Sequence, residues 1–214
     1  MVGSTNRMVG DRCHLWPTDE EDQMRGQSRD PARTRRAVLD AAAAAVRDHG
    51  AGVSLDVVAR QAGVSKAGLL HHFPSRDQLL LAVAEDLVEQ FHAAVQAAVD
   101  PRDHSEGRLI RGYVNATFDA LVDQSGTPDF VVLTAALLAV PGVTDLLARD
   151  RQRWDQAFVD DGLHPERVLL ITRAADGASI AHVSEGDVDR ARSRQTRELL
   201  LALSRETGPL AAGS

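Results

Sequence analysis

The stretch Ser54–Arg76 constrains this chain more than any other. Ser54 suits a helix N-cap, where its hydroxyl accepts a bond from an otherwise unpaired amide. Leu55, Val58, Ala59 and Ala62 recur at helical spacing and form one apolar stripe. Gly63 supplies a left-handed residue just past the helix end, and Val64 plugs the turn into the core. Ser65 caps a second helix carrying Lys66, Ala67, Gly68, Leu69, Leu70 and His71. Phe73 anchors the end of that helix. Pro74 opens the next one, where a missing amide hydrogen does no harm. Helix, short glycine turn, helix is the plan of the helix-turn-helix, whose second helix enters the DNA major groove.

The side chains on that second helix suit such a task. Ser65, Lys66, Ala67 and Gly68 fall in its first turn, the part aimed at base edges. Lys66 can donate to guanine O6 and N7 or to a phosphate, and Ala67 can touch a thymine methyl. His71, His72 and Arg76 stand where phosphate donors are wanted, and Ser54 can offer cap amides to the opposite strand. Adjacent His71 and His72 face different directions on a helix, so no metal is expected to be shared between them.

Residues 33–79 resemble the N-terminal domain of the tetracycline-repressor (TetR) family. The resemblance is carried by the order A-x-x-A-G-V-S-x-x-x-L-x-x-H-F-x-S-[KR], met by Ala59 through Arg76. His72 then matches the family's backbone-contacting histidine. Two positions depart from the family: Gly68 stands where Thr or Ser is frequent, and Leu70 where Tyr is frequent. The first loses a base-facing methyl and hydroxyl, the second a phosphate donor. Gly68 also weakens its helix by about 1 kcal/mol relative to alanine.

Charge distribution agrees with this reading. The chain carries a net −7, which by itself argues against a polyanionic partner. Between Arg25 and Arg76, however, nine basic residues face only Asp30, Asp40, Asp48 and Asp56, a surplus of five, so the remainder carries −12. A basic head on an acidic body attracts phosphate at one end and repels it at the other. Lys66 is the only lysine, and it lies at the start of the reading helix. The single Cys13 forms no internal disulfide, which suits a reducing cytoplasm, and no apolar run reaches membrane-spanning length.

Residues 1–29 show no periodicity and are expected to be a disordered tail, either a solvated leader or a basic arm (Arg25, Arg29). Asp30-Pro31 starts a helix to about His49, with Arg33, Arg35 and Arg36 in its first turns. Those cations oppose the helix dipole, which points to phosphate contact, with a solvated face as the plainer alternative. The fourth helix, Ser75 to about Val99, repeats Leu79, Leu80, Val83, Leu87, Phe91, Val95 and Val99, far more than a three-helix head needs. Further helices are expected over 108–122, from Pro128 to Val140 (apolar and buried on most sides), from a Thr144 cap to about Asp161, from His164-Pro165 to about Val183, and from Asp187 to about Glu206.

The expected fold is all-α. A helix-turn-helix DNA-binding head at 30–76 is joined by a long fourth helix to an effector-binding and dimerisation body at 77–206, and 207–214 form a loose C-terminus. No nucleophile elbow, phosphate loop or acid–base constellation is present, so neither an enzyme nor a cofactor is expected. The resemblance implies a homodimer on palindromic double-stranded DNA, most simply a repressor released by a small-molecule effector. It places effector candidates at Tyr113, Asn115, Thr117, Phe118, Phe130, Trp154 and Phe158, each of which otherwise reads as core or surface. Dimer candidates are Asp176, Gly177, Ile180, Leu199 and Leu203, with His182 a further one. Rival readings are a regulator answering to a protein or to no ligand, and a helical carrier or enzyme with a vestigial head.

Overall fold

A computed structural model describes residues 30–122, 129–185 and 190–210. The expected tail at 1–29, Pro128 and Asp187 lie outside the described residues. Residues 1–34 and 35–214 form two compact units. The described part of the first is the opening of α1, where Asp30 accepts from the Ala32 amide at 3.0 Å. Among the described residues there are nine helices and no strand. They are α1 (Pro31–His49), α2 (Leu55–Gln61), α3 (Lys66–His72), α4 (Arg76–Ala98), α5 (Arg108–Val122), α6 (Asp129–Leu137), α7 (Val143–Asp160), α8 (Pro165–Glu185) and α9 (Arg190–Leu203). None of them is long and apolar enough to cross a membrane.

Two apolar cores divide the second unit. The first gathers Val38, Leu39, Ala42 and Val46 of α1 with Val58 and Ala59 of α2, Leu69 of α3 and Leu79, Leu80, Val83 and Leu87 of α4. It also takes in Leu133 and Leu137 of α6, then Val140 and Val143, so the α6–α7 corner packs into the same core as the helix-turn-helix. The second core gathers Val95 of α4, Ile110, Tyr113, Val114 and Phe118 of α5, Trp154 and Phe158 of α7, Ile171 and Ala175 of α8 and Leu200 of α9. Helix α5 is the body's centre, with α4, α7, α8 and α9 all packed against it.

The close approach of α4 and α5 is set by Gly112. A β-carbon there would sit 2.6 Å from Val99 Cγ2 and 2.9 Å from the Val95 carbonyl. A buried arginine fixes the far end of the body. Arg111 donates to Asp103 at 2.8 Å, to the Ser204 carbonyl at 2.8 Å and to Ser105 Oγ at 2.7 Å. The hydrogen bonds from Arg111 and Ser105 hold the Asp103 carboxyl well below the usual carboxylate range.

The structure corrects several local expectations. Pro74 precedes the next helix rather than opening it: Ser75 is the N-cap, accepting from the Gln78 amide at 3.2 Å. Thr144 does not cap α7, because Gly142 holds that position with φ +88 and no side-chain cap. The segment around α6 is less buried than its composition suggests, with Leu138 52% exposed. Residues 207–210, in the stretch expected to be loose, bond back to α8: Arg167 donates to the Gly208 carbonyl, and Glu166 accepts from the Leu210 amide at 3.0 Å.

Gly112→Ala should force α4 and α5 apart and lower stability by about 1–3 kcal/mol in urea unfolding. An unchanged midpoint would contradict the close packing of these two helices.

Candidate nucleic-acid interface

Both helices of the turn motif are too short to be stable alone, so capping and one shared core must hold them. Ser54 Oγ accepts from the Val57 amide at 3.4 Å, and Ser65 Oγ accepts from the Gly68 amide at 3.0 Å. Between them Gly63 adopts φ +67, the left-handed conformation that lets the chain turn without a β-carbon clash. Leu69 is the buried residue of α3, fully enclosed, and Phe73 buries the position after its last turn.

That single inward anchor decides which side chains face out. Lys66, Ala67, Leu70 and His71 share one arc of α3 and are exposed, Leu70 at 36%. Gly68 and His72 flank the arc and are half-buried. Their placement follows from a 100° step per residue away from Leu69. Ser54 and Ser65, the caps of α2 and α3, are both exposed. Arg76 is half-buried, and its Nε donates to the Val53 carbonyl at 3.0 Å, so it ties α4 to the loop before α2. Arg33 is exposed in the first compact unit.

One partner in this region was not anticipated from the sequence. Lys66 Nζ lies 2.9 Å from Asp56 Oδ2, an ion pair between α2 and α3 with both side chains more than half exposed. A pair so open to water contributes little to stability. Its consequence is positional, because it parks the lysine against α2. Other head cations are also engaged. Arg35 lies 5.2 Å over the Phe73 ring, and Arg36 pairs with Asp40 and, at 2.7 Å, with Asp86 of α4. Hydrogen bonds to those two carboxylates raise the Arg36 pKa further above its already high value.

In the body the structure brings several expected residues together. Tyr113, Trp154 and Phe158 pack ring to ring at 5.4–5.7 Å. Phe91 joins them, 5.3 Å from Tyr113, and stacks on Phe130 at 5.1 Å. Phe118 is enclosed in the same core, and Asn115 Oδ1 accepts from Arg197 of α9 at 2.9 Å. Thr117 is buried, and among the described residues its Oγ1 is the buried side-chain polar atom without a hydrogen-bond partner.

Two polar contacts rim this cluster. Tyr113 Oη donates to Asp176 Oδ1 at 2.6 Å. Burial, together with the charge of Asp176, pushes the Tyr113 hydroxyl well above its ordinary range, so it stays a donor. His92 bonds Asp150 at 2.6 Å and stacks flat on Trp154 at 4.0 Å. Sequence reasoning missed His92 and Asp150, which are 58 positions apart and carry no local signal.

The dimer candidates divide. Ile180 and Leu199 are 60% and 59% exposed, Gly177 has open space around it, and Leu203 is half-buried. Asp176 instead turns inward, to Tyr113 and, at 3.6 Å, to Arg151.

The chain matches two family profiles: "Bacterial regulatory proteins, tetR family" over residues 38–83 and "Tetracyclin repressor-like, C-terminal domain" over residues 107–205. It is 39% identical over 79 residues to the HTH-type transcriptional regulator BetI of Rhizobium meliloti, covering 35% of this chain and 38% of that one. It is 34% identical over 87 residues to the HTH-type transcriptional repressor LfrR of Mycolicibacterium smegmatis, covering 41% and 45%. The match therefore spans less than half the length of either curated relative. Among solved structures, the multidrug binding protein EbrR complexed with ethidium superposes with a TM-score of 0.58 at 26% identity, covering 81% of this chain and 99% of that one.

Ser65→Ala should lower stability by about 1 kcal/mol, and Ser54→Ala, whose cap bond is longer, by less. Urea unfolding of the two variants checks this; no loss from Ser65→Ala would contradict the capping geometry.

Proposed function

We propose that this chain, which belongs to the TetR family of bacterial regulators, is a cytoplasmic transcriptional repressor that binds a palindromic operator as a homodimer and leaves it when a small molecule occupies the body. The observation that carries the reading is the exposed arc of α3, held outward by the buried Leu69 and Phe73 and headed by the only lysine of the chain.

On this reading Lys66 and Ala67 meet base edges at the start of α3, with Gly68 allowing close approach. His71, His72, Arg76 and the caps at Ser54 and Ser65 hold phosphates on either side, and Arg33 adds a separate phosphate donor. Leu70 brings an apolar contact where a hydroxyl would otherwise bond a phosphate. On duplex binding Lys66 exchanges Asp56 for the nucleic acid, leaving that carboxylate to water.

Two heads are needed because one α3 buries too little to bind tightly, while a pair set about one helical turn apart reads an inverted repeat. We assign that pairing to Gly177 and Ile180 of α8 and Leu199 of α9, which are exposed, with the half-buried Leu203 on the same helix as Leu199. Asp176 is half-buried and engaged with Tyr113, so it is left out of that pairing.

The effector reading draws on the ring cluster of Tyr113, Phe130, Trp154 and Phe158, with Phe118 and Thr117 beside it. Thr117 offers a buried hydroxyl in need of a partner. EbrR, a multidrug binding protein solved with ethidium, is consistent with a small-molecule response in a fold of this kind. An effector must favour the DNA-incompetent spacing of the two heads, or it shifts nothing.

Lys66→Ala should weaken operator binding and lower the slope of log affinity against log salt by about 1; binding curves unchanged across salt would take Lys66 out of the interface. Ile180→Glu with Leu199→Glu should leave monomers in sedimentation velocity, whereas an intact dimer would contradict the pairing surface.

A further inference from the structure

Helices α7 and α8 frame a groove of about 690 Å³, well within the range that holds a drug-sized molecule. It is not built around the expected effector residues; of those, only Phe158 lines it. Its walls are apolar, with Phe158 and Leu163 buried, and with Val159 and Leu169 exposed at 69% and 59% along its edges.

The polar lining is the informative part. The chain outside the basic head carries a net −12, yet the groove gathers Arg151, His164 and Arg173 against one acid, Asp155. Among the described residues Arg173 makes no ion pair. Arg151 is held only at 3.6 Å by Asp176. His164 Nδ1 accepts from the Glu166 amide at 3.3 Å, which leaves its Nε2 to carry a proton and donate.

We propose that this groove binds a small amphipathic carboxylate. Its anionic end meets Arg173, with Arg151 and His164 as further donors, and its hydrocarbon end lies against Phe158, Leu163, Val159 and Leu169. Charge complementarity selects the anion, because a cation would meet two guanidinium groups and a neutral alcohol would leave Arg173 without an ion-pair partner. The groove lies along the first half of α8, while Gly177 and Ile180 of the pairing surface lie in its second half.

The site carries its own reporter. Phe158 stacks on Trp154 at 5.4 Å with the rings 21° apart, so a ligand against Phe158 changes the surroundings of that indole. Arg151 also connects the groove to the interior, through Asp176 to the Tyr113 hydroxyl. Direct binding is independent of the DNA-binding reading and tests the groove alone.

The experiment uses the full chain with Trp16→Phe, so that Trp154 is the remaining tryptophan. Decanoate below its micellar concentration is titrated while fluorescence is followed, with decanol and decyltrimethylammonium as the neutral and cationic comparisons and calorimetry as a second readout. A saturable change with decanoate is expected, with at least about a tenfold loss of affinity in Arg173→Glu, the effect of removing a charge-assisted bond. Arg173→Gln gives the same reading should the glutamate variant fail to fold.

Three outcomes overturn the proposal: no saturable decanoate signal, equal affinity for decanol or the cation, or unchanged decanoate affinity in the Arg173 variants. In the last case, loss of self-association by those variants would assign the groove to a second copy of the chain.

Discussion

Two helices, α4 and α7, each contribute to both apolar cores, and the architecture depends on their staying joined. Helix α4 gives Leu79 through Leu87 to the head core and Val95 to the body core; α7 gives Val143 to the first and Trp154 and Phe158 to the second. Between the cores the two helices are clamped by His92 and Asp150 at 2.6 Å and by Arg153 and Glu89 at 2.6 Å. The His92–Asp150 contact is more enclosed than its exposed neighbour and is backed by the stack on Trp154. Phe91, packed on the body core, stacks on Phe130, packed on the head core, at the same level. The body's rings therefore touch α4, whose first half packs in the same core as α3. At 23 residues, α4 spans about 34 Å, enough to turn a small rotation at one end into a displacement at the other.

At the head, a minimal anchor leaves a maximal surface. One enclosed leucine and one buried phenylalanine hold α3, and Lys66, Ala67, Leu70 and His71 stay exposed. The cations around it are held in place by acids or rings within the protein, Lys66 by Asp56 and Arg35 over Phe73. An exposed ion pair of this kind is easily exchanged for phosphates, because water already screens it. On the proposed reading specificity falls to few groups, since Gly68 offers bases no side chain and Leu70 offers phosphate no donor.

Much of this was legible in the sequence because helix ends are decided by near neighbours. Ser54 and Ser65 cap where their spacing to the following amides requires, Gly63 turns left-handed, and the α4 stripe from Leu79 to Val95 enters the cores as its periodicity implies. Local rules misled where two neighbours competed for one role. Ser75 takes the cap position next to Pro74, and Gly142 takes the one near Thr144. Composition misled at Leu138, which belongs to an apolar run yet faces outward past the end of α6. Contacts made by folding itself left no trace in the sequence: Lys66 with Asp56, His92 with Asp150, and Arg111 with the Ser204 carbonyl are fixed by which helices pack together.

The central claim is that the outward arc of α3, presented twice, recognises a particular duplex sequence. Selection of bound fragments from random duplex DNA by the full chain measures this most directly. The account predicts enrichment of an inverted repeat whose half-sites lie about one helical turn, 10–10.5 base pairs, apart. Recovery of no preferred sequence, or of one unpaired half-site, would contradict it.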